Sequence, residues 1–587
     1  MKKCRLVFAL FSLFLLVSVI LQPTFAAERG VLPSGVGLDE IGAEIEAFAE
    51  EHEDTTVGFS TAVFNREGVI YSGYFGFANE EDGIAVNAQT VMEWGSVSKL
   101  TVWVSVMQLW EQGKIDLNED IQVYLPHGFL KKLAYEKPIT MLDLMNHTAG
   151  FEDIAFGLNA EDEESIISLE EALLKYQPEQ RFEPGVVQAY SNYGAALAGF
   201  IVECVSGQPY YTYVKEHIFE PLGMERSALL PDLSDNPWVR TQREQLHCYR
   251  GDCSLIANGR DYVILYPCGM CTSTLEDFMK FGQALLDTNG PLFESSATYE
   301  ELFAPSAFLG DTNVPSCRHG FWPFYEGSDV VYHSGNTKGC SSALYLDLKS
   351  GTGMVIMTNQ QNESVYNFLL PEVLLFGNAY QYSGEFQNQY SSGYMESSRN
   401  IWTGPLKLYR LVNVISLSDI SGFITETDSN GVQRYACSGG DLLPVSTLTV
   451  ILMNGSVILW GLASLFSLVR LLVRLVQRLC RKQKSPLGAW GIWSCVVQLP
   501  FPLLILPVAQ TLMTLEWWPM WCYRLCFIGA FILCLAMAVL FVIGILRRNR
   551  LVLTKKQKVL CIILMLNLLI AIWNIVYWNL FMFWMIP

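Results

Sequence analysis

Only one acidic residue, Glu516, follows position 442 in this chain of 587 residues, against thirteen Lys and Arg in the same stretch. The first 26 residues have no acid and carry Lys2, Lys3 and Arg5. Between residues 27 and 442 the scarcity reverses, with 23 basic residues against 57 acidic ones. A segment so poor in Lys and Arg excludes nucleic acid as a natural partner, because a phosphate backbone needs clustered positive charge. The same asymmetry, in a chain 51% hydrophobic and 17% charged overall, excludes one uniform soluble globule. An internal repeat, a glycine-rich phosphate loop and a G-x-S-x-G elbow are also missing, so the usual sequence signs of nucleotide binding and of an α/β-hydrolase nucleophile are absent.

The two ends carry the pattern of an exported membrane protein. Met1-Lys2-Lys3-Cys4-Arg5, an apolar run from Leu6 to Leu21, and small residues at Ala26 and Ala27 read as a signal peptide over residues 1–26. The alternative is an uncleaved anchor, for which the run is short. From Leu443 onward, four apolar stretches (443–469, 487–513, 519–546 and 559–587) are each long enough to cross about 30 Å of hydrocarbon. Arg470, Arg474, Arg478, Arg481, Lys482 and Lys484 separate the first two stretches, and Arg547, Arg548, Arg550, Lys555, Lys556 and Lys558 the last two. The middle connection has only Glu516 beside the aromatic pair Trp517 and Trp518. The positive-inside rule therefore predicts four spanning helices of a cell-membrane protein, with the acidic segment outside the cytoplasm and lipid as a partner.

Eight cysteines lie in that acidic segment (Cys204, Cys248, Cys253, Cys268, Cys271, Cys317, Cys340 and Cys437), an even number compatible with some disulfides. His247-Cys248, Cys253 and the Cys268/Cys271 pair lack the second regularly spaced ligand pair of a zinc site, so neither metal nor cofactor is expected.

Residues 27–380 alternate strand-like and helix-like stretches in an α+β pattern. Val57–Phe64 and Gly68–Tyr74 predict two strands joined by a tight turn at 65–68. Ser98 to Gln112 is apolar nearly all round, the mark of a buried helix, with Gly113 as its cap. Val330–His333, Ser341–Leu346 and Gly353–Thr358 predict consecutive antiparallel strands, so one sheet built from both ends of the domain and flanked by helices is expected. Residues 381–442, rich in Tyr, Ser and Asn, read as a small juxtamembrane β-rich segment with nothing catalytic in it.

Glu93-Trp94-Gly95-Ser96-Val97-Ser98-Lys99 stands where the strands end and the buried helix begins. Ser96 and Lys99, three apart, share a helix face, so the ammonium can reach the hydroxyl. A serine at a helix start also sees unpaired N–H groups that favour developing negative charge. These are the needs of an activated serine nucleophile. Taken singly, Ser-x-x-Lys is an ordinary helix start, Tyr190 a packed core tyrosine and His333 a strand-end histidine. Tyr190-Ser191-Asn192 after Pro184-Gly185, and His333-Ser334-Gly335 on a late strand, complete a set whose order and separations are hard to attribute to chance.

With these three motifs the chain resembles the serine β-lactamase and penicillin-binding-protein superfamily, in the branch of class C β-lactamases, DD-peptidases of that type and related esterases. Further stretches are similar: Thr90 to Pro126 with Gly113-Lys114-Ile115-Asp116-Leu117, Ile139 to Gly150 with Asn146-His147-Thr148-Ala149-Gly150, Phe219 to Met224, and Pro267-Cys268-Gly269 with Ser273, Thr274 and Asp277. The resemblance covers residues 40–365. It implies a β-lactamase/DD-peptidase-like fold, with Ser96 acylated, Lys99 stabilising charge beside it, and Tyr190 taking the serine proton and later activating water. It also implies that Asn192 holds a substrate amide, that His333, Ser334 and Gly335 line the substrate site, and that the backbone N–H groups of Ser96 and Asn336 form the oxyanion hole. Class C enzymes carry Lys where this chain has His333, and a histidine titrating near neutrality would make that charge pH-dependent. This favours a peptidase or esterase over a true β-lactamase. The expected function is a serine hydrolase acting on a small-molecule, peptide or ester substrate at the cell surface; the alternative is a membrane penicillin or ligand sensor without turnover.

Overall fold

The computed structural model describes residues 30–585 apart from 380–392, 417–423, 428–432, 482–486, most of 501–519 and a few single positions or short runs elsewhere. The predicted signal peptide, 1–26, lies outside the described residues.

Asn65 folds back through its side chain, Oδ1 accepting from the N–H groups of Glu67 at 2.9 Å and Gly68 at 3.0 Å, and so closes the turn between β1 (Gly58–Asn65) and β2 (Gly68–Asn79). Three late strands, β3 (Val330–Asn336), β4 (Ser341–Asp347) and β5 (Thr352–Thr358), join the same sheet. Its order is β2-β1-β5-β4-β3, with short strands Ile84–Ala85 and Trp322–Pro323 on the two edges and every pairing antiparallel. The β1–β5 register, Phe59 opposite Thr358 through Asn65 opposite Thr352, brings the two ends of the domain together.

The sheet is covered on both faces, which is why its central strands are apolar without strict alternation. Phe59, Val63, Ala343, Tyr345, Met354 and Ile356 pack with helix α1 (Ile41–Glu51) on one side. Ala62, Phe64, Leu344, Leu346, Val355 and Met357 face the larger core on the other. That core surrounds α2 (Lys99–Glu111), buried from Lys99 through Leu109 and ending at Gly113, whose φ of +68° suits glycine. Beside it lies α3 (Asn192–Ser206), started by Ser191, whose Oγ accepts from Gly194 N–H at 3.0 Å, and ended by Gly207 in the left-handed conformation. Helix α4 (Leu275–Leu286) lies against β1 and β5.

After this domain comes a five-stranded sheet with β6 (Tyr394–Ser397), β7 (Val414–Ser416), β8 (Ile424–Thr427), β9 (Gln433–Ala436) and β10 (Leu442–Val445) in the order β7-β6-β10-β9-β8. It contacts the preceding α+β domain on one side, where Gly440 is bridged to Ala189 and Asp441 accepts from Gln188 N–H. On the other, Leu406 and Leu408 pack with Trp460 and Trp578 of the apolar helices, and Lys407 Nζ donates to Tyr577 O at 2.9 Å.

Among the described residues, three C-terminal helices are long and apolar enough to cross a membrane: α5 (Thr447–Arg481), α7 (Met520–Arg550) and α8 (Lys555–Tyr577). The second of the four predicted spans, 487–513, is represented by the nine-residue α6 (Gly488–Val496), and most of its remainder lies outside the described residues. Ser456 and Asn574 exchange hydrogen bonds between α5 and α8, at 3.1 Å each, so each polar side chain finds a partner within the apolar bundle.

One buried ion pair fixes the start of α2 against the sheet. Glu93 Oε1 accepts from Arg243 Nε at 3.0 Å and pairs with Nη2 at 2.9 Å, while Oε2 accepts from Thr337 Oγ1 at 2.5 Å. Both charged side chains are at least 95% buried. Removing one partner of such a pair strands the other charge, so Arg243→Met should lower the unfolding free energy by about 3–5 kcal/mol. Chemical denaturation of the purified full chain measures this, and a change below about 1 kcal/mol would contradict the buried-pair assignment.

Candidate active site

Ser96 sits in a short 3-10 turn, Gly95–Ser98, that leads directly into α2. Gly95 has φ +52°, and a β-carbon there would lie 2.5 Å from Asn336 N, so the turn accepts only glycine. Gly335 is equally constrained, since a β-carbon on it would fall 1.9 Å from Trp94 O and 2.8 Å from Ser96 N. Backbone is therefore pressed on backbone between the serine turn and the end of β3. This brings the N–H groups of Ser96 and Asn336 to the same place, and Ser96, at the start of a helical segment, has an N–H without an intrahelical acceptor. Trp94 anchors the turn through its N–H to Cys271 O at 2.7 Å, its indole N–H to Ser273 Oγ at 2.8 Å, and its carbonyl, which accepts from Ser342 Oγ at 2.7 Å.

Lys99 is wholly buried and donates three hydrogen bonds: to Ser96 Oγ at 3.0 Å, Asn192 Oδ1 at 2.8 Å and Cys268 O at 2.7 Å. Three acceptors use all three N–H donors of an ammonium. All three are neutral oxygens, and no carboxylate lies within salt-bridge distance of it among the described residues.

Tyr190 is held by a segment that the sequence marked without giving it a role. Thr140 and Asp143 form a capping box for the turn Met141–Met145, after which His147 adopts φ +56°. Ala189 N–H donates to His147 O at 2.8 Å and Ser191 N–H to His147 Nδ1 at 3.1 Å, so both neighbours of Tyr190 are tied to one histidine. The His147 ring also lies against Tyr190, centroids 4.4 Å apart, and stacks on Trp322. Lys99 Nζ is 4.9 Å from the Tyr190 ring centroid, and Arg399 Cζ, from the segment after β6, is 4.8 Å away.

His333 differs from its sequence-based expectation. Its Nδ1–H donates to Ser334 O at 2.7 Å, which leaves Nε2 as a buried lone pair without a partner among the described residues. Burial, and then the positive charge of Lys99, push its pKa down to about 3. The ring is therefore neutral across the physiological range, does not titrate near neutrality, and is not a carboxylate-binding cation. Its own ring stands 6.4 Å from that of Tyr190. Ser334 and Gly335 continue the strand opposite Ala343 and Ser342.

The structure thus brings Ser96, Lys99, Tyr190, Asn192, His333, Gly335 and Asn336 to one place and adds His147, Trp322 and Arg399. His147 lay in a recognisable motif; Trp322 and Arg399 carried no sequence signal, because neither belongs to a periodic pattern or sits near a motif in the chain. The even cysteine count was compatible with some disulfides; among the described residues the cysteines are free thiols, and Cys437 lies outside them. Also among the described residues, no cluster of three or more His, Cys, Asp and Glu side chains is arranged to hold a metal ion.

The state of His333 has a consequence for stability. An unfolded histidine binds a proton below about 6.5, whereas the folded one does so only near 3. Between those values the unfolded state holds more protons, so stability falls as pH drops through this window and is fully present above it. Burial shifts His147 in the same direction. His333→Gln should make the fall in unfolding midpoint between pH 7 and 4 shallower than in the wild type; identical slopes would show that the ring is charged in the folded protein.

The sequence model of the β-lactamase family matches residues 45–376. The chain is 30% identical over 290 residues to the putative penicillin-binding protein PbpX of Bacillus subtilis strain 168, covering 48% of this chain and 69% of that protein. It is 24% identical over 360 residues to penicillin-binding protein 4* of the same organism, covering 57% of this chain and 75% of that one. Among solved structures, the octameric penicillin-binding protein homologue from Pyrococcus abyssi aligns with a TM-score of 0.48 and 18% identity over 69% of this chain and 90% of its own. The matched span takes in more than half of the chain, from the helix that covers one face of the sheet to the segment beyond its last strand, and on that ground the chain belongs to the β-lactamase family of serine hydrolases.

Proposed function

We propose that this protein is a membrane-anchored hydrolase, with its catalytic domain outside the cytoplasm, that cleaves an amide or ester through an acyl-enzyme on Ser96. The observation that carries this reading is the Lys99 ammonium donating to Ser96 Oγ at 3.0 Å while its other two donors are taken by Asn192 and Cys268. With every donor engaged and the charge buried, Lys99 is placed to act as a fixed positive charge beside the nucleophile. The serine proton then goes elsewhere, and Tyr190, whose ring lies 4.9 Å from Lys99 Nζ, is the acceptor. As Ser96 Oγ bonds to the carbonyl carbon, its proton passes to the Tyr190 oxygen and then to the departing amine or alcohol. Water, deprotonated by the same tyrosine, releases the acid and restores Ser96.

The carbonyl oxygen, negative in the tetrahedral intermediate, is held by the N–H groups of Ser96 and Asn336; one such donor typically contributes about 3–4 kcal/mol to lowering the barrier. Asn192 has its Oδ1 taken by Lys99 and keeps its Nδ2 donors for the substrate. A neutral His333 favours the peptidase and esterase branch over hydrolysis of β-lactams that present a carboxylate at this position. Arg470, Arg474 and Arg478 in the second half of α5, and Arg547, Arg548 and Arg550 at the end of α7, support a topology in which these ends are cytoplasmic and the catalytic domain is not. Residues 394–445 would hold the domain close to the lipid surface, where a cell-surface substrate is found.

A fluorophosphonate or fluorescent penicillin probe should label the wild type and not Ser96→Ala, with the label lost over time and a simple ester hydrolysed. Stable labelling without turnover would favour a penicillin- or ligand-binding sensor instead. Equal labelling of the two proteins, or none, would overturn the reading.

A further inference from the structure

Residues 394–445 contribute a charge to the active site. Arg399 follows β6, and its guanidinium carbon lies 4.8 Å from the centre of the Tyr190 ring. Nε donates to Asp153 Oδ2 at 2.8 Å, and Asp153 N–H donates to Asn400 O at 3.0 Å, a two-point clamp between the catalytic domain and the small sheet. The Arg399 side chain is still 45% exposed, so it stands at the open edge of the site.

The clamp is part of a larger seam that ends at Tyr190 itself. Ala189 is bridged to Gly440, Gln188 N–H donates to Asp441 Oδ2 at 3.0 Å, and Asp441 N–H donates back to Gln188 O at 2.8 Å. Ser398 Oγ donates to the same carbonyl at 2.6 Å. The backbone just before Tyr190 is thus fixed by the small sheet as well as by His147.

The charged and titratable groups around the Tyr190 ring come from four elements: Lys99 from α2, His147 from the turn after Met145, His333 from β3 and Arg399 from the small sheet. Asp153 and Tyr409 act on Arg399 in turn. Both histidines are held neutral by burial and by the positive charge of Lys99. Two permanent cations remain, and Lys99 has committed all of its donors. A positive charge near the ring lowers the free energy of a phenolate relative to the phenol.

We propose that Arg399 is a positioning residue of this active site, through which the juxtamembrane sheet stabilises Tyr190 in the anionic form that accepts the Ser96 proton. The inference rests on the acyl-enzyme reading above for its role in turnover, and on geometry alone for its effect on Tyr190. It makes the small sheet part of the catalytic unit, so that undocking it would switch off proton transfer without touching the serine motif.

Two measurements on the detergent-solubilised full chain test this. In the first, kcat/KM for a p-nitrophenyl ester is followed against pH for wild type, Arg399→Gln, Arg399→Lys and Ser398→Ala. Arg399→Gln should move the acid limb up by about one pH unit, with a loss of about tenfold below it. Arg399→Lys should restore most of both, and Ser398→Ala, which removes one hydrogen bond of the seam but keeps Arg399, its clamp to Asp153 and the Asp441–Gln188 bonds, should leave the limb in place. The second needs no turnover: the phenolate absorbance attributable to Tyr190, taken as the difference from Tyr190→Phe, should appear at higher pH in Arg399→Gln than in the wild type. An unmoved limb and an unmoved phenolate midpoint in Arg399→Gln would overturn the proposal. A wild type without Ser96-dependent turnover but with a moved midpoint would overturn the hydrolase reading and leave the charge coupling standing.

Discussion

A wholly buried ammonium with only neutral oxygens around it is the constraint on which this site is built. Lys99 loses its hydration on folding, and a charge in that position is tolerable only when every donor has an acceptor. Its three acceptors come from three separate pieces of chain: Ser96 on the preceding turn, Asn192 at the start of α3 and the Cys268 carbonyl before a short strand. Each must be in register for the charge to be satisfied. The same need explains the supporting contacts, since Glu93, Arg243 and Thr337 lock the strand before Ser96 to the turn after β3, and Trp94 joins it to Cys271 and Ser342.

Placing one fixed cation in a dry site changes the behaviour of what surrounds it. His333 and His147 are kept neutral, their burial reinforced by the Lys99 charge. A histidine in the third motif therefore does not substitute for a lysine in charge, only in shape. The second cation near Tyr190 comes instead from Arg399, beyond the family's matched span of 45–376. This links the part of the chain next to the apolar helices to the site, because the backbone before Tyr190, the small sheet and the apolar helices are joined by contacts through Gln188, Asp441, Lys407 and Tyr577.

The legible features were those that repeat locally. β1 and β2 announced themselves through a turn whose Asn65 side chain closes it, and α2 through an apolar run that continues on all sides. Ser96 and Lys99 were visible as a pair because they are one helical turn apart. The small sheet was readable as β-rich, but nothing in residues 381–442 marked Arg399 for the site, since a lone arginine in a polar stretch carries no periodicity. The protonation state of His333 was misjudged for a related reason: a histidine in a motif has an ordinary pKa until burial and a neighbouring charge are known.

By itself the sequence determined the charge division of the chain, the apolar segments, the family and the order of the motifs, because each depends on residue types and spacing along the chain. Tertiary structure decided which groups share a dry environment: that Lys99 has three neutral acceptors, that His333 carries no charge, and that Arg399, more than 200 residues after Tyr190, shares its ring with Lys99. Solvation and Coulomb forces depend on distance through space and on the exclusion of water, and neither is written in the order of residues.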